Sequence, residues 1–121
     1  VFQTFPRLRV VICHCGGALN RFIPTDHHIA QKDLSKNLFY DACAYDDDFL
    51  TAAIKQKGVD QMLFGTEAPG SGGATRPDTG RSSDDLVPVI DSLKILSTED
   101  KIKIFNKNPL RVFTKVKVPS A

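Results

Sequence analysis

The sequence has little net charge and no long apolar run. Lys and Arg together number 16 against 14 Asp and Glu, so the formal net charge is +2 at pH 7. No block of basic residues stands out, which argues against nucleic acid or a membrane surface as a partner. No apolar run approaches the roughly 18 residues that a membrane-spanning helix needs. What remains is an ordinary globular composition, 41% hydrophobic and 25% charged.

Cysteine is scarce and shows no disulfide pattern. The three cysteines are an odd number without framework spacing, which is typical of a reducing compartment. The first residues do not resemble a secretory signal peptide, and we therefore expect a cytoplasmic protein. The length of 121 residues fits a single domain. The chain begins at Val1 without a methionine and enters a strand almost at once, so we expect a piece of a longer protein.

Strand and helix signals alternate along the first half of the chain. Apolar runs rich in β-branched and aromatic residues predict strands over 8–13, 37–42 and 61–65. Helices are predicted between them, over 18–30 and over 47–57. The second helix has acidic residues at its start and a glycine just after its end, which suit the helix dipole and a C-terminal cap.

The second half is predicted to be a long loop followed by short helices. Residues 68–83 are rich in Gly, Pro, Ser and Thr, and a loop of this length is more often functional than incidental. Apolar residues from 86 to 95 follow a helical spacing, with Pro88 tolerated in the first turn. Two further helix starts are predicted, at the candidate capping box of Ser97 and Asp100 and at Asn108-Pro109 before a short helix over 110–113.

This order of elements predicts the α/β class with a parallel sheet and right-handed crossovers. Three strands alone make a poor sheet, because a parallel sheet needs both faces and both edges covered. We therefore interpret residues 1–121 as part of a single barrel domain, with the missing strands before Val1.

Two strand ends carry the side chains best suited to chemistry. His14 follows the first strand and precedes Gly16-Gly17, and Glu67 follows the third strand after Gly65. Because the carboxyl ends of parallel strands line one mouth, we expect His14 and Glu67 to face one pocket. Imidazole suits acid–base chemistry, and a carboxylate suits proton transfer or a divalent metal. The structural alternatives are a histidine bonded to backbone and a glutamate solvated at the rim.

Other polar residues carry weaker signals. Arg21 in the first helix and Arg76 in the long loop could each clamp a substrate carboxylate, although most surface arginines do not. Asp41, on the second strand, could orient a neighbouring group. The remaining polar candidates are interpreted structurally, His27 and His28 as solvated side chains and Asp84-Asp85 as a helix cap.

The three cysteines are interpreted as buried, inert thiols. Cys13 and Cys15 flank His14, and alternation along a strand turns both toward the helices if His14 faces the mouth. This argues against a Cys-His-Cys metal cluster, whose ligands need wider spacing to converge. Cys43, at another strand end, stays open as a nucleophile.

Five short motifs occur in an order that resembles a known family. They are Phe5-Pro6-x-Leu8, His14-x-Gly16-Gly17, Asn37-Leu38-Phe39-Tyr40-Asp41, Leu63-Phe64-Gly65-Thr66-Glu67 and Asn108-Pro109-x-x-Val112-Phe113. Together they resemble the C-terminal half of the amidohydrolase superfamily, in the amidohydrolase-related branch that includes aminocarboxymuconate-semialdehyde decarboxylase.

The resemblance implies a fold and a set of roles. The family fold is a (β/α)8 TIM barrel, of which this chain would supply strands 6 to 8 with their helices. His14 matches the family's acid–base histidine, and Glu67 matches the acid that sits at a divalent metal and handles protons. The metal is usually zinc, held by a His-x-His pair and a further histidine that this chain lacks. The resemblance therefore implies that the chain alone is inactive.

One departure narrows the resemblance. The family usually has Asp at the position of Glu67. A Glu there, followed by Pro77-x-Thr79-Gly80-x-x-x-Asp84-Asp85, is similar to 4-oxalomesaconate hydratases of aromatic-acid catabolism, which add water to a double bond of a small polycarboxylate in a lyase reaction. The resemblance thus implies a hydratase with a small carboxylated substrate, and we expect a homo-oligomer at full length. Decarboxylase or hydrolase chemistry stays open, because fold does not determine reaction. A non-catalytic α/β ligand-binding module also stays open, although no phosphate-binding glycine loop follows the first strand.

Overall fold

Three short parallel strands form the centre of the molecule. The computed structural model describes residues 1–21, 25, 33–70 and 73–117, with the backbone alone for 18–21. In these residues the sheet order is β1-β2-β3, with β1 at Val10–Ile12, β2 at Leu38–Asp41 and β3 at Met62–Leu63. Both strand pairs are parallel, which confirms the predicted α/β class.

Each strand is shorter than its apolar run. At the C-terminal end of β1 the backbone leaves the extended region, because His14 and Cys15 have φ of 54° and 56°. On its N-terminal side, the Asn37 side chain donates to the carbonyls of Pro6 and Leu8 at 2.9 and 2.7 Å. Side-chain hydrogen bonds and a tight turn thus take the place of ladder bonds at the two ends.

The chain after β1 differs from the predicted helix over 18–30. A 3₁₀ segment runs over His14–Arg21, with an irregular backbone from Cys15 to Gly17. Gly16 has φ of 90°, and a Cβ there would lie 2.7 Å from Lys57 Cε and 2.9 Å from the Tyr40 ring. Only glycine fits this close approach. Most of the predicted helix lies outside the described residues.

The helix after β2 matches its prediction. Helix α1 covers Asp47–Lys57, and the Asp46 carboxylate accepts from the Phe49 amide at 2.7 Å. Gly58, with φ of 81°, ends the helix by donating its amide to the Ile54 carbonyl at 2.8 Å. These cap bonds satisfy groups that the helix itself leaves unpaired.

Short helices complete the described fold. Helix α2 covers Val87–Ser92, α3 covers Thr98–Ile102 and α4 covers Asn108–Val112, with a π-helical turn Lys103–Lys107 between the last two. The predicted Pro88 in the first turn and the Ser97–Asp100 capping box are confirmed. An α-helix begins at Asn108 as predicted, but it continues directly from the π-helical turn and covers 108–112 instead of 110–113. In the described part of the chain, no helix is long and apolar enough to cross a membrane.

The predicted cap at Asp84-Asp85 is wrong. The N-cap of α2 is Leu86, which makes no side-chain cap bond. Asp84 accepts instead from the Tyr45 hydroxyl, and Asp85 forms an ion pair with Arg81. Asp84 therefore binds a tertiary partner and Asp85 a partner four residues away, and neither carboxylate caps the helix.

The apolar core lies between the sheet and the helices that follow it. Tyr40 and Met62 of the sheet belong to one buried cluster with residues of α1, α2 and the π-helical turn. Its fully buried side chains include Leu50, Met62, Leu86, Ile90 and Ile104. Burial of aliphatic side chains of this size stabilises a fold by about 1.5–3 kcal/mol each. The core therefore holds the C-terminal ends of the three strands in a common arrangement.

Candidate active site at the strand ends

His14 occupies a strained turn directly beyond β1. Its φ of 54° lies in the left-handed region, which is uncommon for a residue with a side chain. Such conformations cost about 1–3 kcal/mol and cluster at functional sites. The side chain is 58% exposed, so the imidazole is open to solvent and to ligands.

Glu67 lies close to His14 at the adjoining end of the sheet. Glu67 Oε1 is 3.8 Å from His14 Nε2, and the glutamate side chain is 44% exposed. Two residues before Glu67, Gly65 packs closely against β2, because a Cβ there would lie 2.9 Å from Asp41 Cβ. The structure thus brings together two side chains that lie 53 positions apart in the sequence.

Tyr45 connects Glu67 to a buried carboxylate, a link that the sequence analysis missed. The Tyr45 hydroxyl lies 3.0 Å from Glu67 Oε2 and 3.1 Å from Asp84 Oδ1. Loss of solvation, followed by these two carboxylates, raises the pKa of Tyr45. The phenol therefore stays protonated and holds one oxygen of Glu67, while the other oxygen faces His14. The only signal in the sequence was the position of Tyr45, four residues after the end of β2.

Asp41 joins the loops that follow β1 and β2. Its Oδ1 accepts from the Cys15 amide at 3.3 Å and from the Cys43 amide at 3.1 Å. One carboxylate oxygen therefore fixes two backbone segments beside the site. This places Asp41 behind the site as an organising group.

The cysteines divide into one exposed and two buried thiols. Cys13 is exposed, so the prediction that all three thiols are buried is wrong for it, because strand alternation stops at Ile12. Burial raises the pKa of Cys15 to about 12. Burial, followed by the carboxylates of Asp41, Glu67 and Asp84, raises the pKa of Cys43 to about 11.

A candidate metal-ligand set lies at this edge of the sheet. His14, Cys43 and Glu67 each offer one ligand atom, and these atoms all lie within 4.8 Å of one another. Cys13 and Cys15 do not belong to this set. A nitrogen, a sulfur and an oxygen donor form a combination suited to zinc and related divalent metals.

Of the two arginines predicted to bind a substrate carboxylate, the structure describes the side chain of Arg76 and only the backbone of Arg21. The backbone of Arg21 ends the 3₁₀ segment, and its side chain lies outside the described residues, as do His27 and His28. Arg76 is half-buried and donates to the carbonyls of Tyr45 and Ser83, each at 3.4 Å. Its Nε is buried without a hydrogen-bond partner among the described residues.

Arg76 also lines a pocket beside the long loop. The pocket has a volume of about 270 Å³, and its charged lining residues are Asp47, Arg76, Asp78, Arg81 and Asp85. His14 and Glu67 do not line it. Through the Tyr45 carbonyl, however, Arg76 is joined to the residue that holds Glu67.

Comparison with known proteins places this geometry in a family. The family model described as Amidohydrolase matches residues 1–115. The chain is 34% identical over 127 residues to a 2-keto-4-carboxy-3-hexenedioate hydratase of Sphingobium sp. (strain NBRC 103272 / SYK-6), covering 96% of this chain and 36% of that protein. It therefore spans about a third of that relative's length.

Solved structures agree with this placement. A 4-oxalomesaconate hydratase from Rhodopseudomonas palustris superposes with a TM-score of 0.81 at 31% identity, over 93% of this chain and 37% of that one. A 2,6-dihydroxybenzoate decarboxylase from Rhizobium superposes with a TM-score of 0.66 at 21% identity, over 93% of this chain and 36% of that one, and indicates the fold alone. The chain belongs to the amidohydrolase family, and its parallel strands and helices form an incomplete (β/α)8 barrel.

Proposed function

We propose that the protein containing this chain is a metal-dependent hydratase, a lyase that adds water to a double bond of a small polycarboxylate in aromatic-acid catabolism. The observation that carries the proposal is the approach of Glu67 to His14, 3.8 Å apart at the strand ends. Similarity to hydratases that act on 4-oxalomesaconate and 2-keto-4-carboxy-3-hexenedioate supports this choice of reaction and substrate class.

The two side chains have complementary tasks in hydration. Addition of water places a hydroxyl group on one alkene carbon and a proton on the other. One of the two groups accepts the proton of water, and the other delivers a proton to carbon. Tyr45 holds Glu67 Oε2 and so leaves Oε1 directed to the reacting side. We assign Glu67 and His14 as the proton-transferring pair.

The donor set of the site fits a divalent metal, for which we propose zinc. Glu67 is the proposed ligand from this chain, and the family's histidine ligands lie outside it. When bound, the metal supplies Lewis acidity toward water or a substrate oxygen. The roles of His14 and Glu67 in proton transfer do not depend on which divalent metal is present.

Arginine side chains supply the recognition of substrate carboxylates in this proposal. Arg76 is held in place by its bonds to the carbonyls of Tyr45 and Ser83, and it lines the pocket beside the long loop. Arg21 follows the His14 turn and is the second proposed clamp. A guanidinium matches a carboxylate through two parallel hydrogen bonds.

The proposal also covers the domain, the cellular compartment and the partners of the protein that contains this chain. We propose that residues 1–121 are one part of a single barrel domain, contributing strands 6 to 8. We also propose a cytoplasmic location, which the odd number of cysteines without disulfide spacing supports. A homo-oligomer with a small carboxylated substrate, and with neither nucleic acid nor membrane as a partner, completes the proposal.

Glu67→Gln tests the function in the longest translation product that contains this chain. Hydration of 4-oxalomesaconate, followed as loss of the substrate's ultraviolet absorbance, should fall by at least about 100-fold, because the amide cannot take up or release the proton. Glu99→Gln is the matched control, since Glu99 is the other glutamate of the chain and pairs with Lys107 on the surface. Hydration at the wild-type rate by the Glu67 variant would overturn the assignment, and release of carbon dioxide instead of hydration would replace it with decarboxylation.

A further inference from the structure

The carboxylate of Glu67 is not fixed by its own loop alone. The Ala68 amide donates to Thr66 Oγ1 at 3.3 Å, a bond that braces the backbone on either side of Glu67. The glutamate side chain is nevertheless 44% exposed and rotates about several bonds, so packing restricts its carboxylate little. A group that takes part in chemistry must be held within about 0.5 Å of its productive position. Glu67 therefore needs a partner from elsewhere in the chain.

Tyr45 is that partner. Its hydroxyl lies 3.0 Å from Glu67 Oε2, whereas Glu67 Oε1 is the oxygen that lies 3.8 Å from His14 Nε2. A phenol keeps its proton at neutral pH and can donate it to a carboxylate oxygen. A tyrosine side chain has only two torsions, so its hydroxyl is well placed once its backbone is fixed. The bond to Oε2 therefore leaves Oε1 on the side of His14.

Tyr45 is itself held at its backbone and at its hydroxyl. It directly precedes Asp46, the N-cap of α1, whose carboxylate accepts from the Phe49 amide at 2.7 Å. Its carbonyl accepts from Arg76 Nη1 at 3.4 Å. Its hydroxyl also lies 3.1 Å from Oδ1 of Asp84, a residue that is only 8% exposed. The phenol is thus fixed before it meets Glu67.

The long loop contributes to this arrangement through Arg76 and Asp84. Arg76 Nη2 donates to the carbonyl of Ser83, the residue before Asp84, at 3.4 Å. One guanidinium therefore joins the backbone that carries the Tyr45 phenol to the backbone that carries the Asp84 carboxylate. Without the hydroxyl, the carboxylates of Asp84 and Glu67 would lose the donor that they share. Like charges repel, so the more exposed Glu67 should then turn away from this position.

We propose that Tyr45 is a positioning residue for hydration, which holds Glu67 through Oε2 so that Oε1 faces the reacting water and substrate beside His14. Tyr45 donates a hydrogen bond in this role and transfers no proton to the substrate. The inference rests on the proposed function and deepens it, because it names the group that directs the proton-transferring carboxylate. Asp84 and Arg76 act one step further away, as the anchors of Tyr45.

Tyr45→Phe tests the role in the longest translation product that contains this chain, because it removes the hydroxyl and keeps the ring. For hydration of 4-oxalomesaconate, kcat should fall by at least about tenfold, since a displaced carboxylate reacts from the wrong position. KM should stay within about twofold, because Tyr45 does not hold the substrate in this proposal. A variant with the kcat of the wild type, or with a raised KM alone, would overturn the positioning role.

Tyr40→Phe is the matched control, because Tyr40 is the other tyrosine of the chain. Its ring is buried in the core and lies beneath Lys57, whose Nζ is 4.7 Å from the ring centroid. The substitution removes a hydroxyl of the same kind away from Glu67 and should leave kcat unchanged. Equal losses of kcat in the two variants would show a general effect of removing a phenol. Far-UV circular dichroism verifies that each variant is folded.

Raman spectroscopy of the 121-residue chain tests the contact without any assay of hydration. The intensity ratio of the tyrosine ring doublet reports how strongly a phenol donates, and the chain has only two tyrosines. Glu67→Ala should weaken the donor signal relative to the wild type, whereas Glu99→Ala, at the surface, should not. This comparison leaves Tyr45 in place, so it stands even if Tyr45→Phe does not fold. A donor signal that Glu67→Ala leaves unchanged would assign the bond to Asp84 and overturn the proposal.

The outcomes separate this inference from the proposed function. A wild-type protein that does not hydrate the substrate would overturn the hydratase assignment, whatever the Raman comparison shows. Hydration by the wild type with an unchanged kcat in Tyr45→Phe would leave the hydratase assignment standing and remove Tyr45 from the machinery.

Discussion

At the scale of single residues, the site is organised by groups that no motif reveals. Asp41 fixes two backbone segments with one oxygen, and Tyr45 lies between two carboxylates. A hydroxyl has a single proton, so Tyr45 donates to Glu67 or to Asp84 at any one moment. The position of Glu67 therefore depends on a side chain from a different strand–helix unit.

Buried Cys15 makes stability depend on pH at the alkaline end. Its pKa is about 12 in the folded chain against an ordinary value of 9.0, so the folded state holds a proton that the unfolded state loses above pH 9. The free energy of unfolding should therefore fall as pH rises from 9 toward 12, by at most about 1.4 kcal/mol per pH unit for this thiol. Urea unfolding at about pH 8, 9 and 10 measures this slope.

Cys15→Ala provides the comparison for that slope. The variant loses core contacts at every pH, so its absolute stability is lower. Its stability should nevertheless decline less steeply with pH, because the group that holds the extra proton is absent. An equal slope in both proteins would show that Cys15 does not contribute to the pH dependence.

At the scale of elements, the helix ends explain how short segments stay in place. Helix α3 has five residues and is held by the reciprocal bonds of Ser97 and Asp100. Helix α4 also has five residues, and its first residue, Asn108, is only 2% exposed. Isolated helices of this length are unstable in water, so packing and caps must supply their stability.

Asn108 is the residue whose loss should uncouple α4 from the sheet. Its Nδ2 donates to the carbonyls of Val59 and Met62, both at 2.8 Å. Asn108→Ala leaves these carbonyls without that donor and should lower the free energy of unfolding by about 2 kcal/mol. Chemical denaturation measures the difference.

Asn106→Ala is the control for this substitution, because Asn106 is exposed in the preceding π-helical turn. Its effect should stay within about 0.5 kcal/mol. Equal losses for the two variants would contradict a specific role for the Asn108 side chain.

At the scale of the whole molecule, β1 is an edge strand of the sheet that the described residues form. Within the described residues β1 pairs with β2 alone, and Phe5 and Leu8 just before it are 61% and 40% exposed. An unpaired strand presents amides and carbonyls to other chains. This arrangement agrees with a chain that supplies part of a barrel, in which neighbouring strands would cover that edge.

We expect the 121-residue chain to self-associate through β1 as its concentration rises. Val11→Lys should lower this association, because charge on an edge strand opposes pairing with a second chain. Sedimentation velocity over a range of concentrations measures it. Val116→Lys changes an exposed valine outside the sheet and should have no comparable effect. A monomeric wild-type chain at all concentrations, or equal effects of both substitutions, would contradict association through β1.

The sequence by itself determined the order of elements and many of their ends. Apolar runs predicted the three strands, and the caps at Gly58 and Ser97 joined residues only three or four positions apart. Such signals are readable because the interacting groups are neighbours in the chain. The ordered motifs also indicated the family, which the match over residues 1–115 confirms.

Only the tertiary structure decided which side chains meet at the site. The Tyr45 hydroxyl joins residues 22 and 39 positions away, and Cys43 lies beside His14 and Glu67 although each follows a different strand. The exposure of Cys13 depended on where the left-handed turn ended strand alternation. The Asp84 carboxylate accepts a hydrogen bond from the Tyr45 hydroxyl instead of capping the helix that follows it. These contacts depend on the packing of separate units, whose relative positions no local sequence pattern specifies.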